Sequence, residues 1–410
     1  MSYITNIITS SFSNALFLIF LITVLGYLIG KIEIKGVGLG TAGVFLIALL
    51  FGHFGYGDNS FLHQIGLVTA QESTLKSAMN MMQNLGLLCF VTSVGFIAGP
   101  KFFNNLKRNI KSYALLGFVI IGSGALTCAA IIALTNIDSA MGVGILCGAL
   151  TTTPGFSAAQ DVVRANEFLL NAVTVGYAVG YPFGVVGVVL FVQLIPKLLD
   201  ANIAEEQKKI NTAEEGEAAA RKLPAKLLEL DPIGVGPFAL AVILGVLLGK
   251  ISIPLPGGTS FSLGNTGGAL IMGLVLGHFG HVGPFDMQIA QGFLKSLREL
   301  GLVFFLIGAG VPGGSGFVAM ISEYGFILFI YGALMEIIPM ILGYIVARKA
   351  VKLCLFNSLG SITGGMTSTP ALGALISTAG TDDVAASYAA TYPVALVLVV
   401  LASQFLVTLL

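Results

Sequence analysis

Apolar runs long enough to cross a bilayer recur along the whole chain. They cover about residues 14–30, 36–52, 79–99, 112–135, 140–163 and 168–196, then about 233–250, 264–280, 293–313, 323–347, 354–378 and 384–410. Runs of this length with few charges predict membrane helices. A polar stretch with Glu205, Glu206, Lys208, Lys209, Arg221 and Lys222 separates the two sets. Its alternating charge predicts a solvated connector, helical or disordered; a regulatory or partner-binding role is the sharper alternative. The first fifteen residues hold no basic residue and no small-residue cleavage site. The first run is therefore expected to be a retained span rather than a signal peptide.

Two runs are interrupted by polar residues and proline. One carries Thr151, Thr152, Thr153, Pro154 and Gly155; the other carries Thr367, Ser368, Thr369, Pro370 and Ala371. Proline removes a backbone donor and breaks the turn before it. In lipid, such a break is tolerated only where protein or a water-filled cavity surrounds it. Paired breaks in corresponding halves are the best sequence pointer to a transporter's substrate site.

The halves repeat their landmarks in order. Residues 26–34 match 245–253, Gly52-His53 matches Gly277-His278, and Leu85-Gly86 matches Leu300-Gly301. The Thr/Pro breaks follow, then Tyr177 to Pro182 against Tyr388 to Pro393. This predicts a repeat over 1–197, a linker over 198–231 and a second repeat over 232–410. Basic residues collect on the cytoplasmic side. The loop after the third run is basic in the first half (Lys101, Lys107, Arg108, Lys111) and has no Lys or Arg in the second; after the fourth run the pattern reverses. With both termini outside and each broken element entering and leaving on one side, 17 of 20 Lys and Arg fall inside. Only Lys76, Arg164 and Lys250 fall outside. Letting all twelve runs span leaves 8 of them outside. The expectation is an all-α integral membrane protein of two inverted-topology repeats, each with about five spans plus one re-entrant, Pro-broken element. The linker is then cytoplasmic.

Composition agrees. Mean hydropathy is +0.93, and charged residues make up 10%, far from soluble domains. Net charge is zero, which gives no nucleic-acid reading. The four cysteines show no metal or disulfide spacing, and neither metal nor cofactor is expected.

The candidate site lies between the two breaks. Half-helix N-termini with free N–H groups favour anions, and the Thr and Ser hydroxyls suit a carboxylate or hydrated ion. A Pro kink with hydroxyls bonded to their own helix is the plainer alternative. Tyr181 and Tyr392 lie four residues after Tyr177 and Tyr388, one helix face in each half; they line the cargo path or anchor at an interface. Intramembrane charges are functional candidates. Glu336 and Asp161 are coupling-ion candidates, Arg164 a counter-ion for a cargo carboxylate, and Asn84 a cavity-lining residue.

At the duplicated Thr/Pro elements, and at the Gly-Tyr-Leu-Ile-Gly-Lys start of the first half, the chain resembles the aspartate:alanine exchanger family of bacterial membrane proteins. The resemblance covers nearly all of the chain except the linker. It implies a secondary transporter that exchanges small carboxylates, aspartate for alanine or one dicarboxylate such as succinate for another. Larger relatives carry two soluble regulatory domains between the halves; the short linker here leaves no room for them. Elevator-like movement of the broken elements would fit a homodimer with a fixed scaffold, by analogy only.

A Na⁺- or H⁺-coupled carboxylate symporter is the nearest rival. An intramembrane aspartyl protease lacks its second membrane acid, since Asp58 sits in a loop. A channel would conduct without regard to substrate on the opposite side.

Overall fold

The computed structural model describes the chain apart from residues 1–10, 12–13, 32, 35–36, 39–40, 56–60, 65–71, 136, 164, 215–226, 255–259, 315–324 and 410. The described part is almost wholly helical. The helices are α1 (Ala15–Gly30), α2 (Ala42–Gly55), α3 (Phe61–Gln64), α4 (Glu72–Leu134), α5 (Ser139–Ala149), α6 (Thr153–Val163), α7 (Glu167–Leu198) and α8 (Ile203–Glu214). They continue with α9 (Val235–Gly249), α10 (Gly264–Phe279), α11 (Gln291–Gly314), α12 (Ile327–Ile345, with a π turn Val346–Ala350), α13 (Leu355–Gly365), α14 (Thr369–Ala379) and α15 (Val384–Leu409). Three two-stranded antiparallel hairpins connect helices: Glu33–Ile34 with Val37–Gly38, Ser252–Pro254 with Ser260–Ser262, and His281–Val282 with Phe285–Asp286.

Among the described residues, five stretches are long and apolar enough to span a membrane: Thr74–Pro100, Ile110–Leu134, Phe168–Leu198, Ile327–Ala350 and Val384–Leu409. The chain is an all-α, multi-pass membrane protein. Helices α1, α2, α9 and α10 are shorter, about 21–24 Å by their residue count, against about 30 Å of hydrocarbon. One expectation changes in detail. The basic residues after the third apolar run lie in α4, which continues as helix from one span into the next, with Pro100 inside it.

The chain divides into two compact units. One holds residues 1–90 and 299–326, the other 91–298 and 327–410. In the smaller unit, α4 and α11 cross where Gly86 and Gly301 meet: a Cβ on either would strike the other's carbonyl oxygen. Small residues let membrane helices approach this closely. In the larger unit, α5 lies along α7 and α13 along α15. The contacts run from Gly144 and Gly148 to residues 173–181, and from Gly360 and Gly364 to residues 384–388.

Candidate substrate site

Each Thr/Pro stretch is a place where a helix stops and restarts. Helix α5 closes with Thr151 N–H on the Gly148 carbonyl and Thr152 N–H on Cys147, at 2.8 and 2.9 Å. Helix α13 closes the same way, Thr367 on Gly364 and Ser368 on Thr363, at 3.1 and 3.0 Å. This closure puts one residue in the left-handed region, normally glycine. Here it is threonine in both copies, with φ of 50° at Thr151 and 51° at Thr367. A β-branched residue there is strained, and such strain collects at functional sites. Helices α6 and α14 then restart with Thr-Pro, where the missing proline N–H costs no helical bond.

The two breaks meet. Thr367 Oγ1 donates to the Leu150 carbonyl at 2.7 Å, and Thr151 Oγ1 donates to the Met366 carbonyl at 3.4 Å. Each hydroxyl thus bonds the carbonyl just before its counterpart. The returning helices also exchange partners. Helix α6 packs more on α15 than on α7, and α14 more on α7 than on α15. Gly155 rests on Val399 and Ser403 of α15, and Cys147 Sγ lies 3.3 Å from Ser403 Oγ.

The copies differ at the first turn of the returning helix. Thr152 Oγ1 accepts from Gly155 N–H at 3.3 Å, an N-cap. Its counterpart Ser368 makes no cap bond, and its fully buried Oγ has no partner. At the opposite end of α13, the Oδ1 of buried Asn357 is also unpartnered. Buried polar atoms in native proteins are nearly always paired, so these mark places for a ligand or water.

Two aromatic pairs flank the breaks. Tyr177 and Tyr181 have ring centroids 5.3 Å apart, as do Tyr388 and Tyr392, and Phe156 stacks on Tyr177 at 4.3 Å. The hydroxyls of Tyr177 and Tyr388 turn toward Thr153 and Thr369. Tyr181, Tyr388 and Tyr392 are buried. Glu336 is buried too, against Gly187 of α7. Asp161 is on α6, with its side chain outside the described residues; Arg164 is outside them altogether. Asn84 belongs to the smaller unit, where its side chain is exposed.

The linker helix reaches the second broken element. Glu206 of α8 accepts from Leu355 N–H, at the start of α13, at 2.9 Å. The next residue, Gln207, donates to the Ala379 carbonyl, at the end of α14, at 2.6 Å. Adjacent residues therefore hold both ends of the broken element, the start of α13 and the end of α14. Each of its helices has 11 residues, about 16 Å of rise, close to half a hydrocarbon layer. Glu206 is a carboxylate that burial alone would push up. The Lys209 ammonium at 2.5 Å and the Leu355 N–H outweigh burial and hold it below its ordinary range.

A family described as a predicted permease membrane region, Asp-Al_Ex, matches residues 18–197 and 237–408. The chain belongs to this family. Similar proteins are an uncharacterised transporter of Bacteroides fragilis (strain YCH46), 27% identical with 98% of this chain and 99% of that protein covered, and one of Desulfotalea psychrophila, 26% identical with 96% and 97% covered. The first alignment runs over 552 residues against a chain of 410, so that relative carries residues this chain lacks. The family resemblance drawn from the Thr/Pro elements holds. The chain is a membrane transporter of a permease family and not an enzyme.

Proposed function

We propose that the protein exchanges small carboxylates across the membrane, aspartate, alanine or dicarboxylates such as succinate, at a site between residues 151–155 and 367–371. The observation that carries this is the reciprocal pair of Thr151 and Thr367 bonds, with the unclaimed Ser368 hydroxyl beside them. Neither break contains an acidic residue. Two half-helix N-termini start there and favour negative charge. A carboxylate accepts hydrogen bonds as the Leu150 and Met366 carbonyls do, so it competes for the same hydroxyls. Substrate would part the breaks, and alternating access would follow from movement of the broken elements. In this reading the halves over 1–197 and 232–410 are inverted repeats, the 198–231 linker is cytoplasmic and both termini are outside. Elevator-like movement would suit a homodimer.

The test is counterflow in proteoliposomes loaded with unlabelled aspartate, alanine, succinate or nothing. Labelled aspartate or succinate should enter only vesicles that hold a carboxylate. Equal uptake into empty vesicles without an ion gradient would discard exchange.

A further inference from the structure

Among the described side chains of the membrane-spanning helices, Glu336 is the buried acid. It lies in α12, is 2% exposed, and its Oε1 has no hydrogen-bond partner. The backbone N–H of Val188 faces the carboxyl. The duplication does not account for it, because the matching residue is Ile121.

Its surroundings tie it to the first break. A Cβ on Gly187 would fall inside the carboxyl group, so this glycine makes the room that the acid occupies. Three residues earlier, Gly184 lies against the carbonyls of Gly148 and Ala149, in the last turn of α5. Helix α7 thus touches the break and the acid about 4.5 Å apart along its axis. A second path joins the same two places: Pro339, one turn after Glu336, meets Gly124 of α4 together with Leu146 and Leu150.

An ionised carboxylate buried with no opposite charge beside it is strongly disfavoured, so the group takes a proton or a cation. A bare hard cation needs several oxygen ligands, and among the described residues Glu336 belongs to no group of three or more His, Cys, Asp or Glu side chains. A proton needs only the carboxyl. Pro339 also leaves the Met335 carbonyl without its helical donor, a local acceptor for the protonated acid. On the helices packed around Glu336, the uncharged titratable groups are Tyr177, Tyr181 and Cys147 on α7 and α5, Tyr113 and Cys128 on α4, and Tyr331 and Tyr344 on α12 itself. Among the described side chains, the nearest charged groups along these helices are Lys197 on α7, Lys111 on α4, and Arg348 and Lys349 after α12, each more than two turns away; α13 carries none.

We propose that Glu336 is a proton-binding site linked to the Thr/Pro site, so that a carboxylate and a proton are bound together. This rests on the carboxylate reading above. Negative charge arriving at the break disfavours the ionised form of Glu336. By reciprocity, the proton strengthens carboxylate binding by the same factor.

The test uses the full chain in liposomes, wild type against Glu336→Gln. Difference infrared spectra across a pH series should contain the C=O band of a buried carboxylic acid, absent from the variant. Wild-type affinity for succinate or aspartate should strengthen several-fold as pH falls; the variant should hold the acid-limit affinity at every pH. A variant that keeps the band, or keeps the wild-type pH profile, overturns the proposal. A band lost in the variant while wild type moves no carboxylate faults the choice of substrate and supports the proton site. Should Glu336→Gln not fold, Gly187→Ala, which pushes the carboxyl aside, must shift the band; an unmoved band overturns the assignment.

Discussion

Thr151 and Thr367 are counterparts in the two halves, and each donates its hydroxyl to the backbone carbonyl just before the other. The bonds are unequal. Thr367 reaches buried Leu150 at 2.7 Å, whereas half-buried Thr151 reaches Met366 at 3.4 Å. Valine keeps the shape and removes the hydroxyl. Thr367→Val leaves a buried carbonyl unpaired, which costs about 1–3 kcal/mol. It should lower the melting temperature in detergent and slow counterflow on the order of tenfold. Thr151→Val should do less on both counts, and equal effects would refute the inequality.

Glycine at either position separates strain from bonding. A left-handed β-branched residue costs about 1–2 kcal/mol, which glycine relieves. The lost hydroxyl bond costs about 1–3 kcal/mol, as in the valine variants. Thr151→Gly and Thr367→Gly should therefore be less destabilised than the valine variants, within about 2 kcal/mol of wild type, while counterflow drops. Counterflow at the wild-type rate would mean that the threonines serve the turn alone.

The breaks were legible in the sequence because proline and hydroxyls inside apolar runs have few structural uses in lipid. Their approach was expected from the duplication, but the bonds that join them were not, since the acceptors are the carbonyls of Leu150 and Met366, and a main-chain group leaves no mark on sequence. Ser403 under Gly155 was hidden for a related reason: a lone serine in α15 looks like any small packing residue. The basic residues after the third run suggested a loop. The chain stays helical there, because Lys and Arg are good helix formers. Gln207 and Glu206 looked like ordinary charged-linker composition, and only tertiary contact gives them a task.

Ser368 and Thr152 occupy matching positions but hold different bonds. Thr152 caps Gly155 N–H, so Thr152→Ala should cost about 1 kcal/mol of stability. Ser368 caps nothing and its hydroxyl is unpaired, so Ser368→Ala should leave the melting temperature unchanged or slightly raised. If that hydroxyl holds substrate, the same change weakens carboxylate affinity several-fold. Unchanged affinity together with lost stability would reverse the two assignments.

The grip of α8 on the second broken element carries a pH prediction. Glu206 has a folded pKa below its ordinary 4.5, because Lys209 and the Leu355 N–H outweigh burial. A lowered carboxylate pKa stabilises the fold above the unfolded value and loses that contribution as pH falls through the folded value. Between neutrality and pH 4.5 the grip should hold; below it, the start of α13 should loosen. Glu206→Gln removes the charge and the ion pair with Lys209, weakening a cap of about 1 kcal/mol. Hydrogen exchange at Leu355 and its next turn should therefore be faster in the variant at neutral pH. Wild type should approach that rate, corrected for intrinsic pH dependence, only once acidified below its folded pKa. Exchange that is the same in both proteins at neutral pH would show that Glu206 does not hold the helix, and the grip would then rest on Gln207 and the Ala379 carbonyl alone.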